Sequence, residues 1–346
     1  MTTPKKDGYF MPGEWHPHTA CWMGWPCTAE AYPTAPMGPE AAHKLAKKCY
    51  VDVAKAIARF EPVNMLTNKE DLDETRALCG PNIKVIEAGI DDGWFRDSGP
   101  SFVINKTGDV AGVNWVFNGW GNRYPHELDN KVAGELLDQL SLKRYDSPLV
   151  LEGGGIHVDG EGTVLLTESC QLNKNRNPNL NKNEIENYLK EYLNVEKIIW
   201  LCGDRNQTAT DGHVDAIASF IEPGRVLLAT SDDLTHPDYE TFRKNNEILK
   251  NEKDAQGRTI EIVEIKEPYE IMDNGTQVKG IYVNFYMANG GIVLPTFDFP
   301  KYDQVALDIF TREFPDREIV QIPTRILLYG GGNIHCITQQ QPGPFK

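Results

Sequence analysis

Four segments of the chain set ionisable or nucleophilic side chains among small and aromatic residues: Trp94-Phe-Arg-Asp97-Ser-Gly-Pro, Glu152-Gly-Gly-Gly-Ile-His157, Thr210-Asp-Gly-His213-Val-Asp215 and Gly330-Gly-Gly-Asn-Ile-His-Cys336. Of the seven cysteines, Cys336 alone has a context that argues for chemistry. It follows three glycines and an asparagine, where missing side chains let a ligand approach the backbone. A free thiol titrates near pH 8.5, so a nucleophilic cysteine needs a cation beside it, either an imidazolium or the substrate itself. A guanidinium would supply that charge. Its carbon is a poor electrophile, and attack on it needs fixed acceptors and a proton donor. Two carboxylates and one histidine fit that need, and the four segments offer Asp97, Glu152, Asp215 and His213 as candidates.

In His213-Val-Asp215 the spacing of two predicts that imidazole and carboxylate share one face of a strand while Val214 packs behind. A structural pair is the plainer reading of one such motif. His157-Val-Asp159 repeats the spacing, which would also suit a mixed imidazole and carboxylate metal site, but no third cluster completes it and no metal is expected. The two triple glycines lack dinucleotide or Walker spacing. Trp94 and Trp120, the latter in Asn118-Gly-Trp-Gly-Asn, are candidates to line a pocket against a cationic alkyl amine. Plain packing is their alternative.

The elements that must bring these residues together repeat along the chain. A glycine turn followed by a short β-rich run occurs at Gly108, Gly162, Gly224 and Gly290. After each run comes helical spacing, over 127–140, 183–193, 237–249 and 301–314, and then another β-rich run. A helix over about 41–60 would open a fifth unit. Strand-turn-strand-helix-strand units bury their apolar faces only against neighbours, so short sheets around an axis are expected. The four polar segments would then converge at its centre. An ordinary α/β sheet is the alternative, and one domain over 1–346 is expected because no linker-like stretch interrupts the pattern.

Composition narrows the partners. With 40% hydrophobic residues the chain can bury a substantial core. A net charge of −15 repels phosphate backbones and attracts small cations, so no nucleic acid is expected. No apolar run nears the roughly 20 residues needed to span a bilayer, and the start lacks the apolar centre of a signal peptide. A cytoplasmic protein without membrane partners is therefore expected. No Cys-x-x-Cys pair occurs, so neither a disulfide framework nor a zinc knot is indicated.

In longer motifs the chain resembles the agmatine deiminase family, of the wider guanidine-modifying (pentein) superfamily that includes peptidyl-arginine deiminases. The likeness runs through Tyr9-Phe-Met-Pro-Gly-Glu-Trp-His-Pro-His, Trp22-Met-Gly-Trp-Pro, Trp94-Phe-Arg-Asp-Ser-Gly-Pro, Leu151-Glu-Gly-Gly-Gly-Ile-His-Val-Asp-Gly, Leu172-Asn-Lys-Asn-Arg-Asn-Pro, Asp211-Gly-His-Val-Asp, Tyr282-Val-Asn-Phe-Tyr and Gly331-Gly-Asn-Ile-His-Cys-Ile-Thr. The resemblance implies an α/β fold, a five-bladed α/β propeller of pseudo-fivefold ββαβ repeats around a central active site. It also implies roles: Cys336 as nucleophile, His213 as general acid and base, Asp97 and Asp215 gripping the guanidinium, and Glu152 positioning His213 or touching substrate. It implies no cofactor, and it implies agmatine as a small cationic substrate, hydrolysed to N-carbamoylputrescine and ammonia in polyamine biosynthesis. A homodimer is expected. The chain departs from the family where an acid usually stands four residues before the histidine: Ala209 occupies that position. This puts substrate preference in question, and Asp204 is a candidate replacement. The rival readings are a deiminase or amidinotransferase acting on arginine, peptidyl-arginine or another guanidino compound, a cysteine protease, and a non-catalytic binding protein on the same scaffold.

Overall fold

Each of the four glycine turns has a left-handed backbone, with φ of +87° at Gly108, +103° at Gly162, +76° at Gly224 and +77° at Gly290. That is the region an L side chain rarely adopts, and each turn feeds the middle strand of a three-stranded unit. The computed structural model describes residues 2–203, 209–271, 275 and 277–344. Among them lie five sheets of three or four strands and one two-stranded ribbon.

The sheets share a plan. Blade I pairs Ser101–Asn105 antiparallel with Val110–Val116, which pairs parallel with Lys143–Val150; Tyr9–Phe10 adds an edge. Blade II has Ile156–Val158, Thr163–Thr167 and Lys197–Leu201 in the same relation. Blade III has Ala218–Glu222, Arg225–Thr230 and Glu261–Lys266, and blade IV has Tyr286–Ala288, Gly291–Thr296 and Glu318–Pro323. The parallel pair in each needs a crossover. Helices supply it at Asp129–Gln139, Lys182–Leu193, Tyr239–Asn251 and Pro300–Glu313.

Local chemistry sets those helices. Asn181 and Glu184 form a reciprocal cap at the start of Lys182–Leu193, and Asn194 ends it in the left-handed conformation. Pro300 stands in the first turn of the last crossover, where its missing N–H costs nothing. Gly112 lets Leu137 lie on the blade I sheet, since a Cβ there would come 2.4 Å from the leucine.

Blade V is assembled from both ends of the chain. Its first strand, Thr338–Pro342, pairs antiparallel with His18–Gly24, which runs parallel to Val63–Thr67 and then Ile83–Glu87. The helix Pro39–Ile57 makes the crossover. The propeller expected from the repeats is thus present, with the fifth unit closed by the C-terminus. The largest apolar cluster binds this blade to the centre, joining Trp25, Tyr50 and Ile57 to Trp94, Trp120 and Cys336.

Candidate active site

The four polar segments do not begin strands. Each folds into a single helical turn just before the first strand of its blade: Phe95–Ser98 in blade I, Gly153–Gly155 in II, Val214–Ala216 in III and His335–Ile337 in V. This corrects the expectation that His213 and Asp215 share a strand face. Left-handed Asp211 (φ +62°) and Gly212 (φ +88°) swing the chain inward. Without a ladder partner, the backbone closes on itself, Ile217 N donating to Val214 O at 2.8 Å. The strand starts only at Ala218. In blade IV the equivalent stretch carries Asn284, the fifth contribution to the centre.

The turns bring the ionisable groups together at buried positions. Asp97 Oδ2 accepts from Trp120 Nε1 and Asp97 Oδ1 from Gly154 N, both at 2.8 Å, and His213 Nδ1 lies 3.8 Å from Oδ1. Left-handed Gly119, Trp120, Gly121 and Asn122 aim that indole, strain of the kind kept at functional sites. A carbon placed on Gly154 would lie 2.7 Å from His213 Nδ1, 2.8 Å from Asp97 Oδ1 and 2.9 Å from Asp215 Oδ2, so glycine is what lets the three converge.

Glu152 stands behind the ring with no exposure. Its Oε1 accepts from Arg176 Nε at 2.7 Å, and its Oε2 lies 3.6 Å from the Cys170 thiol and 3.5 Å from His213 Nε2. Arg176 continues to Asp211, which Arg123 grips with two further hydrogen bonds. Asp215 Oδ2 accepts from His335 Nδ1 at 2.9 Å and lies 3.5 Å from Cys336 Sγ. Asp215 Oδ1, although buried, makes no hydrogen bond. Asn284 Nδ2 donates to Cys336 Sγ at 3.3 Å.

These surroundings set charge states. Burial, with the Asp215 and Asp97 charges, pushes the Cys336 thiol well above the usual range. Burial works against a charged His213, but Asp97 and the Glu152 and Cys170 contacts outweigh it and hold the ring well above ordinary imidazole. Burial also raises Asp97, Asp215 and Glu152 adding to the push and His213 opposing it. Asp215 goes the other way: burial opposes, yet the hydrogen bond and charge of His335 keep it ionised. The resting centre thus pairs a neutral thiol with an imidazolium, and it carries three carboxylates.

A cleft of about 820 Å³, counted to its open mouth, leads down to Cys336. Trp94 and Trp120 wall it, and Glu30, Asp91 and Asp92 give its rim an acidic side. Trp94 Nε1 and Cys27 N occupy the Asp92 carboxylate. Ala209 lines the cleft, its carbonyl accepting from Arg123. Asp204 lies outside the described residues. His157 and Asp159 do not face one site: Asp159 accepts from Thr163 N and Glu161 N in its own loop, while His157 turns toward Glu14 at 3.7 Å. Two groups of side chains near the centre, Glu14 with His157 and His335, and Glu152 with Cys170 and His213, are close enough to hold a cation. Contacts within each group and with Arg96 or Arg176 already account for their closeness.

The residue-type argument missed Glu14, Arg176, Asn284 and His335. Glu14 and Asn284 stand in motifs quoted only for their resemblance, and His335 stands in the polar segment of Cys336 without having been singled out; a fifth segment before Tyr286 is what the repeat would require. Arg176 likewise stands in a motif quoted only for its resemblance, Leu172-Asn-Lys-Asn-Arg-Asn-Pro.

The sequence matches the profile of the Porphyromonas-type peptidyl-arginine deiminases over residues 10–342. It is 44% identical to the agmatine deiminase of Pseudomonas syringae pv. tomato, covering 100% of this chain and 98% of that protein. It is likewise 44% identical to that of Pseudomonas aeruginosa, with the same coverage. A solved structure of Enterococcus faecalis agmatine deiminase superposes with a TM-score of 0.92 at 37% identity, covering 99% of this chain and 98% of that one.

Proposed function

The chain belongs to the Porphyromonas-type peptidyl-arginine deiminase family, and from its full-length likeness to agmatine deiminases we propose that it hydrolyses agmatine to N-carbamoylputrescine and ammonia. One observation carries the reading most: a buried thiol flanked by two buried carboxylates, one with an unpaired oxygen, at the foot of an acid-rimmed cleft. Such a centre has surplus negative charge and unused acceptors, which a planar guanidinium would satisfy.

In the proposed mechanism Asp97 and Asp215 hold the guanidinium nitrogens and Trp94 and Trp120 flank the alkyl chain. The bound cation lowers the thiol pKa that burial had raised, so on binding the thiol proton passes to solvent and substrate itself generates the nucleophile. The Cys336 thiolate attacks the guanidinium carbon. His213, an imidazolium at rest, protonates the departing nitrogen, and the C–N bond breaks to release ammonia. An amidino-thioether remains on Cys336. His213, now neutral, takes a proton from water, the hydroxide adds to the same carbon, and the thiolate leaves as the hydroxyl loses its proton, which returns the sulfur to a thiol and leaves the ureido product. Both steps need one imidazole that changes charge between them, and Glu152, fixed by Arg176, orients it. The distal ammonium then lies toward Glu30, Asp91 and Asp92, an arrangement that would disfavour the α-carboxylate of arginine.

The reading extends to one domain over residues 1–346, working as a cytoplasmic homodimer in polyamine synthesis. Seven unpaired cysteines support a reducing compartment, and no helix among the described residues is long and apolar enough to cross a membrane. The test is ammonia release across agmatine, arginine and shorter or longer guanidinoalkylamines, by the wild type and by Cys336→Ala and Ala209→Asp. Agmatine should be the best substrate, and Cys336→Ala should lose several orders of magnitude in turnover. Near wild-type release by Cys336→Ala would refute the mechanism, and no release from agmatine would refute the substrate.

A further inference from the structure

Asp215 can offer Oδ1 to a substrate only if Oδ2 is held elsewhere, and its holder is the residue beside the nucleophile. His335 Nδ1 meets Asp215 Oδ2 at 2.9 Å, and His335 Nε2 meets Glu14 Oε1 at 2.8 Å. Both ring nitrogens therefore face carboxylate oxygens. A neutral imidazole has one nitrogen with a lone pair and no hydrogen, and that nitrogen would oppose an anion in a buried site. With Glu14 and Asp215 both held ionised by their neighbours, only the imidazolium satisfies both contacts, giving an unbroken carboxylate–imidazolium–carboxylate chain.

We infer that Glu14 and His335 are positioning residues for Asp215, the chain anchoring its Oδ2 and turning its Oδ1 toward the substrate cation. The inference rests on the proposed role of Asp215 as a guanidinium acceptor. The far end of the chain is anchored in turn: Arg96 Nη1 donates to Glu14 Oε1 at 3.4 Å and Arg96 Nε to the His335 carbonyl at 3.2 Å. His157 stacks on His335 with ring centroids 5.8 Å apart. Its Nδ1 accepts from Phe220 N, and burial pushes its pKa down to about 4, so it adds no second positive charge. Glu14, 7% exposed, and His335, 2% exposed, have no water to replace a lost partner.

The chain also answers an electrostatic need. Asp215 shares its pocket with Asp97 and with the sulfur that must become a thiolate; His213 lowers both acids, but for Asp215 the hydrogen bond and charge of His335 come ahead of it. Burial and both negative neighbours favour a protonated Asp215, which would lose the charge that attracts the substrate cation and turn one acceptor oxygen into a donor. The His335 charge opposes that, and Glu14 sustains the His335 charge.

The test compares wild type, His335→Gln and Glu14→Gln in ammonia release from agmatine as a function of pH. Glutamine keeps a donor but not the charge. In His335→Gln the acidic limb of kcat/KM should move up by about one pH unit or more, because a carboxylate without its cation stays protonated longer. KM should rise more than kcat falls, by roughly tenfold or more on the acidic limb, with the loss shrinking as the pH rises to neutrality. Glu14→Gln should move the limb in the same direction by less. A profile parallel to wild type at every pH, or unchanged activity, would overturn the inference. Nitrogen-15 NMR of the wild-type His335 ring decides the same point without turnover and holds even if both variants fail to fold. Two protonated ring nitrogens above pH 8 support the chain, whereas a neutral ring at pH 7 overturns it. A wild type that leaves agmatine untouched while showing the doubly protonated ring would fail the proposed substrate and leave the chain standing.

Discussion

The residues at the centre rest in charge states opposite to those the chemistry passes through. Cys336 is a thiol in a field of carboxylates, and His213 an imidazolium among them. The consequence is measurable without substrate turnover: alkylation of Cys336 by a neutral reagent should be slow at neutral pH and rise with pH to beyond the usual thiol range. A small guanidinium occupant that leaves the sulfur reachable should shift this rise to lower pH, since it adds a positive charge beside the sulfur. A flat rate from pH 6 to 9 would contradict it. The nucleophile and its triad were legible because their residue types stand out against glycine-rich surroundings. Glu14 and His335 were not, because a buried acid and a histidine gain meaning only from the atoms opposite them. Arg176 shows the same limit: only the fold brings it to Glu152.

At the scale of elements, the site depends on one-turn helices that aim side chains inward, each seated by a glycine or a left-handed residue. Gly154→Ala tests this. The added carbon would sit under 3 Å from His213, Asp97 and Asp215 atoms, so these groups must move apart. The variant should fold, with a destabilisation of about 1–3 kcal/mol, yet lose roughly 10²-fold or more in kcat/KM, the scale of a 1 Å misplacement. Unchanged activity in a thermally stable variant would show that convergence at Gly154 is not required. Sequence periodicity found the crossover helices to within two or three residues, because each has one buried face along a regular repeat. It misread His213-Val-Asp215 as strand because a spacing of two fits both a strand and a tight turn. The left-handed pair Asp211-Gly212 decides between them.

The whole molecule adds closure and charge. The strand Thr338–Pro342 seals the ring by pairing with His18–Gly24, and it directly follows the turn bearing Cys336. Ring closure and the nucleophile are therefore coupled, and a chain ending after Ile337 should lose both cooperative unfolding and activity. Retention of either property would contradict that coupling. The net charge of −15 acts at longer range. For a substrate with two positive charges, KM should rise several-fold between roughly 0.01 and 0.5 M salt as screening shortens to a few ångströms, with kcat little changed. A salt-independent KM would mean that the acidic surface does not steer substrate. Four repeats were legible from the glycine turns and a fifth from the helix near 41–60, with the propeller itself implied by the resemblance, whereas the sharing of blade V between the two ends was not legible, because it is a pairing across nearly the whole chain.

The central claim is that carbon–nitrogen cleavage proceeds through a covalent bond to Cys336. The most direct measurement is the mass of the protein quenched in acid during turnover of agmatine, followed by peptide mapping. The account predicts an added mass of one agmatine less one ammonia, located on the peptide that carries Cys336 and absent from Cys336→Ala. Turnover with no such adduct at any quench time, or an adduct on a different residue, would contradict it.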